Sequence, residues 1–100
     1  MSRRLFQRRQ SDHWAQEQLV DEAFARYLEW LTECDAVNAA YGAWSRAARS
    51  RRALPFAAYG AALDREERAA VVYHSAIERI EQLFDGGARR AGARPEVTRA

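Results

Sequence analysis

The stretch VDEAFARYLEWLTECDAVNAAYGAW, residues 20–44, decides the fold of this chain. Its apolar residues recur at intervals of three and four, which is the spacing of one face of an α-helix. The pattern predicts a first helix over about residues 12–51, with Ser11 and Asp12 as candidate N-caps. The main stripe consists of Val20, Phe24, Tyr27, Leu31, Cys34, Val37, Tyr41, Trp44 and Ala48, and a second flank adds Ala23, Leu28 and Trp30.

A second helical pattern begins after the first one ends. Pro55 interrupts the spacing, and proline is tolerated in the first turn of a helix. The second pattern predicts a helix over about residues 55–85, capped by the pair Gly86-Gly87. Because Glu66 and Glu67 interrupt its apolar face, the segment could form one helix or a short helix followed by a longer one. We favour a single helix. The face consists of Phe56, Tyr59, Leu63, Ala70, Tyr73, Ile77, Ile80 and Phe84.

These two patterns predict an all-α fold of two long antiparallel amphipathic helices, a helical hairpin. The chain holds 21 alanines, and alanine is the strongest helix former. A turn near residue 54 would pair residues whose numbers sum to about 108, with Phe24 opposite Phe84, Leu31 opposite Ile77 and Cys34 beside His74. Neither helix keeps a strict two-position heptad in sequence, and both stripes are wide. We therefore expect two hairpins to dimerise into a four-helix bundle rather than to form a two-stranded coiled coil.

Charge is distributed unevenly along the chain. We expect a basic flexible arm over residues 1–10, a hairpin domain over residues 11–87 and a disordered tail rich in Arg, Ala and Gly over residues 88–100. The net charge is only +2, yet the body of the hairpin is acidic and a basic patch lies near the turn. The patch is a candidate contact for phosphates or an acidic partner, and its members are Arg46, Arg49, Arg51 and Arg52.

Several classes of function find no support in the sequence. The chain has one cysteine and therefore no internal disulfide. It has neither the apolar stretch of a secretory signal nor that of a membrane span, so we expect a cytoplasmic protein that is not in a membrane. No phosphate-binding loop, nucleophilic triad or paired-carboxylate site occurs, so we expect no enzyme activity and no cofactor.

Excess aromatic surface is the main indication of function. Three tryptophans and four tyrosines exceed what one thin hairpin is expected to bury, which favours self-association. The longer first helix should also overhang the second and leave Trp14, Leu19 and Val20 without a partner. We predict a homodimeric scaffold, adaptor or regulator that also binds an unidentified protein, with an interface formed by Trp14, Leu19, Trp30, Val37 and Trp44.

Two other classes of function stay open at this stage. The first is nucleic-acid binding through the arginine-rich arms and the patch from Arg46 to Arg52, which the acidic body disfavours. The second is a small metal or redox bundle, built on the expected proximity of Cys34 and His74. Free cysteine on an apolar stripe more often packs as a small hydrophobe, so packing is the favoured role of Cys34.

Overall fold

The computed structural model describes residues 2–90, with side chains described over residues 13–86. Helix α1 spans Ser2–Arg46, a single 3-10 turn spans Arg49–Arg51, and helix α2 spans Ala53–Arg90. The two long helices pack against each other, which confirms the predicted all-α helical hairpin. The smallest extent of the Cα trace is 13 Å, close to the diameter of one helix, so the hairpin is a single layer.

The hairpin turn lies earlier in the chain than the sequence pattern predicted. Helix α1 ends at Arg46 rather than near residue 51, because Ala48 is extended, with φ of −64° and ψ of 149°. The amide of Arg51 then donates to the carbonyl of Ala48 at 2.8 Å, which forms the 3-10 turn. Pro55 lies in the first turn of α2, as predicted, where its missing N–H costs nothing.

The outer ends of both helices also differ from the prediction. Residues 2–10, expected to form a flexible arm, belong to α1. The pair Gly86-Gly87 does not cap α2, which continues to Arg90. A glycine cap needs a left-handed φ, and Gly86 does not adopt one. Residues 53–90 form one helix, as favoured, whereas the tail over residues 91–100 lies outside the described residues.

Burial follows a two-position heptad along both helices, although the sequence had argued against one. Along each helix, buried or half-buried residues recur at intervals that alternate between three and four, as in an antiparallel coiled coil. We call these residues the seam. Within α2 it carries alanine at every seventh position from residue 62 to residue 76, and such small residues allow close packing around large rings. The seam comprises Gln16, Leu19, Ala23, Arg26, Trp30, Glu33, Val37, Ala40, Trp44 and Ala47 of α1 with Tyr59, Ala62, Glu66, Ala69, Tyr73, Ala76, Ile80 and Leu83 of α2.

The register of the hairpin also corrects the sequence-based expectation. Residues in contact across the seam have numbers that sum to about 100, as in Trp44 with Phe56 and Tyr27 with Tyr73. The expected sum of about 108 was wrong because α1 ends four to five residues before the predicted position. One consequence is that Cys34 lies level with Glu66 and not beside His74.

No helix within residues 2–90 combines the length and the apolar character needed to cross a membrane.

Candidate interaction surface

Trp30 forms the centre of an aromatic cluster halfway along the seam. Its indole stacks on Tyr73 with ring centroids 5.8 Å apart, and Tyr27 packs on the same Tyr73 ring at 5.4 Å. The indole Nε1–H donates to the carboxylate of Glu66 at 2.7 Å. This bond explains why an acidic residue interrupts the apolar face of α2, since a buried indole N–H needs an acceptor. Hydrogen bonds of this kind to a charged group contribute about 1.5–3 kcal/mol.

Trp44 forms a second aromatic cluster next to the turn. Its ring stacks on Tyr59 at 5.4 Å and contacts Phe56 at 5.2 Å. Tyr41 packs against both Trp44 and Tyr59, at 5.9 and 5.6 Å. Each aromatic pair of this geometry is worth about 0.5–1.5 kcal/mol beyond its buried area. The cluster therefore fixes the end of α1 against the start of α2.

Most of the predicted interface residues pack between the two helices of one hairpin. Trp30, Val37, Trp44 and Leu19 are half-buried members of the seam. Trp14 alone of the five is largely exposed, at 60%. The expected overhang is smaller too, since α2 reaches Arg90 and its Phe84 shares a groove with Val20. The tyrosines of α2 accommodate two of the three tryptophans, which the sequence pattern did not reveal.

Seven of the twelve exposed large apolar side chains of the described residues lie beside the seam, on one side of the hairpin. The other five are Trp14, Leu28, Leu54, Val71 and Val72. Apart from Val37 and Trp44, which belong to the seam, each residue of the stripe that dominates the sequence of α1 directly follows a seam residue. One step along the chain is a rotation of about 100° around the helix. Phe24 is 61% exposed and Val20 is 51% exposed, while on α2 Phe84 is 57% exposed. We call this surface the apolar flank, and it comprises Val20, Phe24, Tyr27, Leu31, Cys34 and Tyr41 of α1 with Phe56, Leu63, Ala70, Ile77 and Phe84 of α2.

Helix geometry places both halves of the apolar flank on the same side of the hairpin. Viewed along one direction, residues of α1 advance clockwise and those of the antiparallel α2 advance anticlockwise. One step past the seam therefore leads to the same side from either helix. The groove lined by both Val20 and Phe84 agrees with this geometry, and Glu17 and Asp21 form its rim.

The opposite side of the hairpin has a different chemistry. Here Arg79 approaches Glu22 at 3.6 Å, and Arg65 approaches Glu33 at 3.3 Å, both across the two helices. Arg26 adds a contact to Glu29 at 3.1 Å along α1. Exposed ion pairs such as these contribute at most about 1 kcal/mol each. Two of them nevertheless join the two helices on this charged flank, although the buried Nε of Arg26 has no hydrogen-bond partner. The apolar flank, by contrast, is left uncovered by its own helices.

The turn carries a dense positive charge, which we call the basic tip. Residues 36–63 contain four arginines and no acidic residue. All four arginines are exposed, and within the described part of the chain none forms a salt bridge with a carboxylate. Arg52 has a structural role as well, because its Nε–H donates to the carbonyl of Ala47 at 3.2 Å. The structure thus brings together the predicted anion-contacting residues Arg46, Arg49, Arg51 and Arg52.

Cys34 lies on the apolar flank, away from the residue it was expected to join. Partial burial, with the carboxylates of Glu66 and Asp35 nearby, raises the pKa of the Cys34 thiol above its ordinary value. The ring of His74 lies against its neighbour Tyr73 at a tilt of 33°, with ring centroids 5.8 Å apart. Among the residues with described side chains, no group of three or more His, Cys, Asp or Glu side chains is placed to hold a metal ion. The metal or redox hypothesis thus loses the proximity on which it depended.

Comparisons of this chain with protein-family models, with curated proteins and with solved structures found no match.

Proposed function

We propose that this protein is a non-enzymatic helical interaction protein that self-associates through the apolar flank into a four-helix bundle. In this role it acts as a scaffold, adaptor or regulator whose paired hairpins present a common surface to another protein. The observation that carries the proposal is the exposure of large apolar side chains along one side of both helices, opposite a flank where ion pairs join the two helices. Contiguous apolar patches of this kind on a protein surface mark interaction sites.

The energy available supports association between two such flanks. Six large apolar side chains of the flank retain roughly half of their surface, and complete burial of one is worth about 1.5–3 kcal/mol. Covering the remaining surface recovers roughly 1 kcal/mol per side chain, so two copies recover roughly 12 kcal/mol. That gain is comparable to the cost of about 4–15 kcal/mol for bringing two molecules together. The six side chains are Val20, Phe24, Leu31, Phe56, Leu63 and Phe84.

A matched pair of valines tests the proposal. Val20 lies on the apolar flank and Val72 on the charged flank, and their exposures are similar, at 51% and 45%. Val20→Gln places an unpaired amide in the proposed interface without changing its charge, so the dimer should weaken by at least about tenfold. Val72→Gln makes the same chemical change outside it and should leave association unchanged. Circular dichroism should give equal helix content for both variants.

Sedimentation equilibrium at micromolar concentrations provides the readout. A wild-type dimer that Val20→Gln weakens and Val72→Gln does not would support the proposal. A well-folded wild-type monomer, or a dimer that both variants leave intact, would overturn it. An aggregating chain would instead indicate that a different protein covers the flank.

Nucleic-acid binding is a second candidate, supported by the unpaired arginines of the basic tip. Duplex DNA bound through several phosphate contacts should dissociate steeply as salt increases. The double variant Arg49→Glu/Arg51→Glu should then lose the binding. DNA affinity that is absent at physiological salt would remove the candidate, and affinity that survives this change would exclude the basic tip as the binding site.

A further inference from the structure

Charge is separated along the length of the hairpin as well as across it. The basic tip holds four arginines within an acid-free segment. Toward the other end, a band that we call the acidic base carries four exposed carboxylates, of which Glu17 and Asp21 line the groove of Val20 and Phe84. These carboxylates belong to Glu17, Asp21, Glu81 and Asp85. Beyond this band, the first turns of α1 are basic again, with Arg3, Arg4, Arg8 and Arg9.

This separation of charge determines how two apolar flanks can meet. If two hairpins lay parallel, the eight arginines of the two basic tips would gather at one end, where residues 36–63 supply no carboxylate to offset them. Like charges brought together at the rim of an interface oppose association. If the hairpins lay antiparallel, each basic tip would lie beside the acidic base of the other copy. Such pairs act over about 8 Å at physiological salt, so they need the close approach that the flanks provide.

We infer that a second copy of this chain docks antiparallel on the apolar flank, with the basic tip of each hairpin against the acidic base of the other. The inference rests on the self-association proposed above and adds its orientation. Phe56, at the tip end of the flank and 55% exposed, then comes level with Ile77 and the groove of Val20 and Phe84 in the other copy. The apolar and charged surfaces are therefore complementary in the same arrangement, which two-fold symmetry permits.

Charge exchange tests the electrostatic part of the inference. Arg49→Glu/Arg51→Glu at the tip, or Glu17→Arg/Glu81→Arg at the base, should weaken the dimer by at least about tenfold. In a mixture, each dimer of one tip variant with one base variant should be stable again. Its mutated tip, now acidic, lies against the mutated base, now basic, and its second tip-to-base contact is that of the wild type. The single change Arg68→Glu, on an exposed arginine outside both ends, serves as the control and should have little effect. Weakening by the end variants without recovery in their mixture would overturn the inference.

The orientation itself is measurable by the distance between spin labels. The variant Cys34→Ser/Ser50→Cys carries one label, at the exposed tip. The antiparallel arrangement places the two labels roughly 50 Å apart, at 1.5 Å for each of about 33 residues between tip and base. The parallel arrangement places them within roughly 20 Å, since adjacent helix axes are only about 8–10 Å apart.

Sedimentation of the same labelled protein separates the two ways of failing. A dimer with the long distance supports the inference. A dimer with the short distance overturns the antiparallel orientation but leaves the proposed self-association standing. A monomer without dipolar coupling overturns both, and retention of DNA by that monomer would favour the nucleic-acid candidate.

Discussion

Removing the indole N–H of Trp30 should destabilise the hairpin by a predictable amount. In Trp30→Phe the ring can still stack on Tyr73, but the carboxylate of Glu66 loses its donor at 2.7 Å. Loss of a hydrogen bond to a charged, half-buried group costs about 1.5–3 kcal/mol. For a chain of this size, that loss lowers Tm by roughly 6–24 °C.

The partner substitution turns this prediction into a double-mutant cycle. Glu66→Leu leaves the indole N–H without an acceptor and should also destabilise the hairpin. The double variant Trp30→Phe/Glu66→Leu removes both polar groups and places apolar residues at both seam positions, so it should recover most of the loss. Additive losses in the double variant would contradict the assigned role of Glu66.

Urea unfolding followed by circular dichroism is the appropriate assay, since tryptophan fluorescence changes with the substitution itself. All variants must be compared at one protein concentration, because association would stabilise the folded state. A loss below about 0.5 kcal/mol for Trp30→Phe would fall within the range of ordinary surface changes. That result would refute the reasoning that the bond anchors the centre of the seam.

Three further predictions test helix α2, its packing and the cysteine. Gly86→Ala should stabilise the chain by about 0.5–1 kcal/mol in urea unfolding, because Gly86 is helical with free space around it. If Gly86 instead capped the helix, the same substitution would destabilise the chain. Ala76→Leu should cost about 1–3 kcal/mol, since Ala76 is 1% exposed, and Ala61→Leu on the surface should not. Cys34 should be alkylated with an apparent pKa above the ordinary value, and Glu66→Gln should lower that pKa and speed the reaction at neutral pH; an unchanged pH profile would exclude Glu66 as a cause.

The helical periodicity of the sequence was sufficient to predict the fold class. Intervals of three and four on either side of Pro55 specify two amphipathic helices, and a short connection makes them antiparallel. Alanine-rich segments of this length strongly favour helix over any other secondary structure. The preference for one helix over about residues 55–85 was also correct, since α2 is continuous over Ala53–Arg90 and the interrupting Glu66 has a partner in Trp30.

The seam could not be identified in the same way. The apolar stripe is wide, and hydrophobicity alone does not say which sector faces the second helix. The actual seam contains Gln16, Arg26 and Glu33, which a hydrophobic criterion rejects. It is selected by stacking of tryptophan on tyrosine and by a register that depends on where α1 ends. A turn displaced by a few residues changes the partner of every side chain, and so the expected pairing of Cys34 with His74 failed.

This displacement changes which residues are expected to form the interface. The tryptophans drew attention because large aromatic residues are frequent at interfaces. Within the hairpin, however, Trp30 and Trp44 stack on Tyr73 and Tyr59. The surface left over consists of smaller apolar side chains, such as Val20 and Leu31, that appeared from sequence to be core. Self-association is still expected, but its expected surface is now the apolar flank. This flank lies about 100° around each helix from the seam that contains Trp30 and Trp44.

A dilution series followed by NMR would test most directly whether the apolar flank is the associating surface. Resonances of Phe24, Leu31 and Phe84 should shift or broaden as the concentration increases through the micromolar range. Those of Glu29 and Val72, on the other side of the hairpin, should stay constant. Concentration-dependent shifts confined to the charged flank, or spectra of a folded chain that are identical at every concentration, would contradict the account.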